Sequence, residues 1–217
     1  MKTIKPIFND AQFLKTETKK TQIYLHHTAG NSSALSTAKW WASNEDRIAT
    51  SYIISGNVKS VNEKNGDVIE CFDSKYWAYH LGLKQEVFTA NKVAYQSLDK
   101  ISIGIEVCNW GQLTKKADGT FLNYVKGIVD KSEVVECKFK NYSYWHSYTE
   151  NQIASLKELL LFLCDKHNIS KVYNQDIWGV TARALRGENG IFTHNSVRND
   201  KCDVYPHPQL IEMLKTL

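Results

Sequence analysis

Proline is scarce in this sequence of 217 residues, with three against 11 glycines. No proline-rich linker, internal repeat or low-complexity tract breaks the chain. None of the five cysteines (Cys71, Cys108, Cys137, Cys164, Cys202) stands in a C-x-x-C pair, and their number is odd. Neither a disulfide framework nor a cysteine-rich zinc module is indicated, and a chain kept reduced is the simpler reading. Long apolar runs are missing too. The longest, Leu159–Cys164, is far too short to cross a membrane. Residues 1–10 lack the uninterrupted apolar stretch of a signal peptide. The expectation is a protein made in the cytoplasm without a signal peptide, which acts outside only after release. Charge of one sign is not in large excess either: 27 basic and 23 acidic residues leave a net charge of +4. The extreme N-terminus is lysine-rich (Lys2, Lys5, Lys15, Lys19, Lys20). No arginine–aromatic stripe of the nucleic-acid-binding kind accompanies it, so neither nucleic acid nor membrane insertion is expected.

What is present suffices for one globular domain over residues 1–217. The hydrophobic fraction is 42%, and a chain of this length buries roughly 70% of its unfolded surface in a single core. Gln22–His26 is rich in β-branched and aromatic residues and is predicted to be a strand. Ser32 or Ser33 caps a predicted helix over Ala34–Trp41. Short strands are predicted at Ser51–Ser55, Val58–Val61 and Val68–Phe72. Ile101–Val107 has the pattern of a strand buried on both faces. A helix begins at Thr149, where Thr149 and Gln152 form a capping box ahead of Ile153, Leu156, Leu160 and Leu163 at helical spacing. A last helix is predicted over Pro208–Leu217, and an exposed loop or hairpin between Trp110 and Tyr142. Interleaved strands and helices predict an α/β fold, a single domain whose central mixed β-sheet is flanked by α-helices.

Three places carry chemistry. His26 and His27 end a strand, and alternation lets only one of them face a given site. The segment from His194 to Asp203 packs His, Lys, Cys and Asp into ten residues without helical or strand period. A hydrolytic zinc site needs three protein ligands and one open position. His26, His194 and either Cys202 or Asp203 would supply them. Glu106 is a carboxylate in an otherwise apolar strand, costly to bury without a partner or a task, and suited to act as a general base. Gly104, two residues earlier, lets a neighbour approach closely.

These pieces occur in a telling order: Ile23-Tyr-Leu-His26-His27-Thr-Ala-Gly30, Ala78-Tyr-His80-Leu-Gly82, Ile103-Gly-Ile-Glu106, then His194 with Lys201-Cys202-Asp203. From about Thr21 to the C-terminus the chain resembles the type 2 N-acetylmuramoyl-L-alanine amidases, a family shared by phage endolysins, wall-recycling amidases and peptidoglycan-recognition proteins. The resemblance implies one Zn2+ on His26, His194 and Asp203, with Cys202 the alternative third ligand. It makes Glu106 the catalytic acid/base, Lys201 the stabiliser of the oxyanion, and His80 a substrate-binding residue of the groove. The implied partner is bacterial peptidoglycan or its muropeptides, cut between N-acetylmuramic acid and L-alanine. The ending of the chain looks most like phage or prophage members, which implies an endolysin. A cytoplasmic muropeptide-recycling amidase and a non-catalytic binding module are the alternatives. Where some phage members carry a catalytic tyrosine, this chain has Thr50, with Tyr52 expected on the same strand face. Residues 111–147 have no clear counterpart in the family, and the expectation is that they shape the groove.

Overall fold

Two strands of branched and aromatic residues, Gln22–His27 and Ser102–Val107, lie side by side at the centre of the fold with nearly every residue buried. The structure is a computed structural model that describes residues 3–5, 8–9, 11–30, 32–43 and 45–217. Lys2 of the basic N-terminus and the first two residues of the expected domain lie outside them. The chain runs β1 (Thr3–Ile4), β2 (Gln22–His27), α1 (Ala34–Trp41), β3 (Tyr52–Ile54), β4 (Val68–Glu70), α2 (Gln85–Ala90), α3 (Leu98–Ile101) and β5 (Ser102–Val107). It continues through β6 (Gln112–Lys115), β7 (Phe121–Leu122), β8 (Ile128–Val129), β9 (Val134–Phe139), β10 (Tyr142–His146), α4 (Glu150–His167), α5 (Ala182–Leu185), β11 (Gly190–Thr193) and α6 (Pro208–Lys215).

Six strands form a mixed sheet in the order β1-β4-β3-β5-β2-β11. Only β3 and β4 are antiparallel; the other neighbours are parallel. Helices cover both faces, as predicted. On one face α1 packs Ala34, Ala38 and Trp41 on Ile53 and Ile69. On the other, Leu156, Leu159, Leu160 and Leu163 of α4 and Leu210 and Leu214 of α6 lie over Ile103, Ile105 and Val107. Each such leucine contributes about 1.5–3 kcal/mol by leaving water, so α4 is held mainly by its buried stripe. The capping box forms: Thr149 Oγ1 accepts from the Gln152 N–H, and Gln152 Oε1 accepts from the Thr149 N–H.

Several details differ from the sequence reading. Residues 58–61 form no strand, and Val61 is 95% exposed. They belong to a loop that delivers the buried Glu63 carboxylate to the start of α1. There it accepts from the N–H groups of Ala34 and Leu35 and from the hydroxyls of Ser33 and Ser55. A negative charge is favoured at a helix N-terminus, and the backbone donors there need acceptors. Ile101 ends a short helix instead of starting β5. The largest difference lies between Trp110 and Tyr142. In place of a loop or single hairpin, β6–β10 build a second, antiparallel sheet in the order β8-β7-β6-β10-β9. Its strands are short and largely polar outside, and they enclose a small core of Leu113, Phe121 and Val129.

Candidate metal centre

Register places the site. In the parallel pair β2–β5, His26 stands beside Glu106, and Glu106 pairs on its other side with Ile53, which packs under α1. His26 and Glu106 therefore share the α1 face, because alternate side chains take opposite faces. His27 turns the other way, and its Nδ1 meets the Tyr148 hydroxyl at 3.0 Å. β11 runs parallel to β2 and ends at Thr193, so His194 emerges at the same C-terminal edge. This is where ligands gather on parallel sheets.

Three donors meet there. His26 Nδ1 and His194 Nδ1 are 3.1 Å apart, and Asp203 Oδ2 lies 3.1 Å from the first and 3.0 Å from the second. A tetrahedral zinc site with bonds of about 2.0–2.1 Å has ligand–ligand edges of roughly 3.3–3.4 Å, close to this triangle. Protons alone serve the arrangement poorly, since two imidazole lone pairs and a carboxylate oxygen all point at one place. A cation satisfies the three together, so the residues fit a metal ion. Cys202 does not join them: its Sγ faces Gln112 Oε1 at 3.4 Å.

The protonation of the donors is set from behind. His194 Nε2 donates to the Leu81 carbonyl at 3.1 Å, leaving Nδ1 as the free lone pair. His26 Nε2 lies 3.0 Å from His80 Nδ1, and His80 Nε2 lies 2.9 Å from Ser102 Oγ. A neutral His26 binding through Nδ1 must carry its proton on Nε2, so His80 accepts there and donates to Ser102. The buried Asp99 carboxylate takes the backbone N–H groups of His80 and Leu81, at 2.9 and 3.0 Å, fixing both supports. Burial, followed by the nearby His194, lowers the pKa of His26 to about 4, which keeps the ring neutral. Burial works against ionising Asp203, but its close polar contacts with His194 and His26 outweigh it and hold the carboxyl well below its ordinary value.

Gly104 makes this layering possible. A Cβ there would lie 2.7 Å from Thr50 Cγ2 and 3.1 Å from His80 Cγ, so the missing side chain is the space in which His80 reaches His26. Thr50 is thus on the site face. Tyr52 is not on that face, contrary to expectation. The chain bends at Ser51, just before β3, and Tyr52 joins the opposite core.

A cleft of about 330 Å³ opens over the triangle, lined also by His80, Glu106, Gln112, Asp200 and Lys201. Although it contributes to this lining, the His80 side chain is only 4% exposed. Glu106 Oε2 is sealed from solvent and has no hydrogen-bond partner among the described residues. Burial, reinforced by the charge of Asp203, raises its pKa well above the carboxylate norm, and Lys201 partly offsets this. A cation on the three donors would act in the same direction as Lys201. The loop carrying Lys201 and Asp203 is braced by the second sheet. Trp145 of β10 stacks on Tyr205 at 4.6 Å, the Tyr205 hydroxyl donates to the His146 carbonyl at 2.9 Å, and Lys140 Nζ donates to the carbonyls of Asn199 and Lys201. Cys108 is buried beneath α1. Its thiol pKa is raised by burial, which does not suit a nucleophile.

Three donors with one open side, beside a half-buried carboxylate and a lysine that line the same cleft, have the arrangement of a hydrolase centre able to take a metal ion, not of a closed structural site. The surrounding mixed sheet with helices on both faces completes that class. Residues 17–208 match the family model for N-acetylmuramoyl-L-alanine amidase, and the chain belongs to that family of peptidoglycan-hydrolysing enzymes. Its fold is similar to that of PlyL (TM-score 0.54, 12% identity, covering 99% of this chain and 96% of that one). It is also similar to the catalytic domain of XlyA (0.50, 16%, 93% and 90%). A third similar structure is the amidase AmiD from E. coli in complex with the substrate anhydro-N-acetylmuramic acid-L-Ala-D-gamma-Glu-L-Lys (0.53, 17%, 92% and 59%). No curated protein sequence matches the chain significantly. Asp99, Ser102, Glu63 and the Leu81 carbonyl escaped sequence reading. A buried acid or a backbone carbonyl has no spacing signal of its own.

Proposed function

We propose that the chain is a zinc-dependent amidase that hydrolyses the bond between the lactyl carbonyl of N-acetylmuramic acid and L-alanine, and that it serves as a phage or prophage endolysin. On this reading it is made in the cytoplasm and reaches peptidoglycan after release. The observation that carries the chemistry is the His26–His194–Asp203 triangle opening into the cleft that holds Glu106 and Lys201. The three donors would hold the zinc ion, which when bound supplies Lewis acidity. Glu106 takes a proton from the attacking water and passes it to the departing L-alanine amine, a role suited to a carboxylate with a raised pKa. Lys201 sets a fixed positive charge where the carbonyl oxygen becomes negative. His80 acts through His26 as a positioning residue, and its contact with substrate is confined to the edge it shows the cleft.

The test is product analysis on purified sacculi. Cleavage as proposed yields glycan bearing free lactyl carboxylates and peptides beginning with L-alanine, with no new reducing sugar ends. New reducing ends, or peptides beginning elsewhere, would overturn the assignment. Clearing of intact sacculi supports the endolysin role, and activity confined to soluble muropeptides would replace it with recycling.

A further inference from the structure

Glu106 lines two cavities. Besides the cleft over the metal triangle it borders a second, of about 500 Å³, whose walls include Thr28, Ser36, Thr37, Trp40, Trp110 and Tyr124. That volume is in the range of small-molecule sites. We infer that this second cavity seats a pyranose ring of the glycan beside the scissile bond, with Tyr124, Trp110 and Trp40 as stacking surfaces. This rests on the amidase reading above.

Three observations carry it. First, Trp40 is 68% exposed and Tyr124 57% exposed. Large aromatic faces left to water around one concavity mark a binding surface. Second, the lining chemistry suits a sugar. A pyranose offers C–H faces to aromatic rings and a rim of hydroxyl and acetamido groups to hydroxyls, here those of Thr28, Ser36 and Thr37. The stem peptide carries carboxylates, which call for cations. Among the described residues lining this cavity Glu106 is the only acidic or basic one, whereas the metal cleft holds Lys201. The cavity beyond Glu106 therefore matches the neutral ring better than the anionic peptide.

Third, the aromatic wall is built to hold its shape. Tyr124 sits in the β7–β8 turn, where the buried Asn123 clamps Gly127: its N–H donates to the Gly127 carbonyl at 2.9 Å, and its Oδ1 accepts from the Gly127 N–H at 2.8 Å. Phe121 and Val129 anchor the strands on either side in the small core. Trp110 follows Asn109, whose Nδ2 donates to the carbonyls of His146 and Ser147 at 3.0 Å each. The rings of Trp110 and Tyr124 stand 6.3 Å apart at 57°. A preordered aromatic corner loses little entropy on binding. The second sheet thus has a job at the substrate as well as behind the metal loop.

The experiment titrates two probes against the wild type and the variants Trp40→Ala, Tyr124→Ala and Tyr124→Phe by calorimetry. The probes are the N-acetylglucosamine–N-acetylmuramic acid disaccharide and the tripeptide L-Ala-γ-D-Glu-L-Lys. Both positions are exposed, so the alanine variants should melt with the wild type. Loss of one aromatic face should weaken disaccharide binding about 3- to 10-fold, Tyr124→Phe should retain it, and tripeptide binding should not change. Weakened tripeptide with unchanged disaccharide would make the cavity a peptide site and overturn the inference. So would unchanged binding of both probes, or a wild type that does not bind the disaccharide. Failure of the amidase reading registers elsewhere, as wild-type protein that releases no peptide with amino-terminal L-alanine from sacculi.

Discussion

Replacing Gly104 by alanine adds one carbon at the point where the metal site meets the sheet. The new Cβ would lie 2.7 Å from Thr50 Cγ2, 3.0 Å from Thr50 Cβ and 3.1 Å from His80 Cγ. Neither neighbour can yield freely. Thr50 Oγ1 donates to the Tyr52 carbonyl at 2.9 Å, and His80 is held between Ser102 and His26. Overpacking of this kind costs about 1–3 kcal/mol, which in a chain of this size lowers the melting temperature by about 2–12 °C. Relief by displacement of His80 removes the partner of His26 Nε2, and loss of such a support costs roughly 10- to 100-fold in metal affinity. Thermal unfolding and zinc competition with a chromophoric chelator read the two effects separately. Adding Thr50→Ser deletes the closest atom but keeps the hydroxyl, so it should restore part of the stability, while the contact with His80 remains. A Gly104→Ala protein with wild-type melting and zinc affinity would refute the layered arrangement Gly104–His80–His26.

Three further outcomes are expected. Glu106→Gln should keep zinc binding but lose at least about 100-fold in turnover, the lower range for general acid–base catalysis; wild-type turnover on sacculi would remove Glu106 from the chemistry. Trp145→Ala deletes a fully buried side chain stacked on Tyr205 and bonded through Nε1 to the Cys137 carbonyl. It should cost about 3–5 kcal/mol in urea unfolding and weaken zinc binding through the Asp203 loop, whereas a loss below about 1 kcal/mol would show that the second sheet does not brace that loop. His207, lowered by burial to about 4, starts α6 as a neutral ring whose Nδ1 accepts from the Gln209 N–H. Its unfolded value is about 6.5, so its contribution is complete above that pH and is lost as pH falls towards 4, by at most about 3 kcal/mol. His207→Asn keeps a capping acceptor and should flatten stability between pH 6.5 and 4; identical pH profiles for variant and wild type would contradict this.

The strands and helices with one strong period were legible in the sequence. Ala34–Trp41 and the helix after Thr149 carried both a cap and an apolar stripe, and each forms where expected. His26, His194 and Glu106, with one of Cys202 or Asp203, could be named from residue type and order, but what brings them together is register, which pairs His26 with Glu106. The choice between Cys202 and Asp203 was open because adjacent residues have the same reach; in the fold the Cys202 thiol faces Gln112 while the Asp203 carboxylate meets both histidines. The second sheet was illegible for another reason. Strands such as Phe121–Leu122 and Ile128–Val129 span two residues each, too few to show alternation. Their stability comes from cross-strand partners distant in sequence. Val58–Val61 failed the opposite way, with β-branched residues but no strand paired with them among the described residues.

Zinc content measured beside release of amino-terminal L-alanine, in the wild type, Asp203→Ala and Cys202→Ala, tests the central claim most directly. One zinc per chain with peptide release in the wild type and in Cys202→Ala, and the loss of both in Asp203→Ala, is the expected result. Zinc retained by Asp203→Ala but lost from Cys202→Ala, or undiminished release from metal-free protein, would contradict the account.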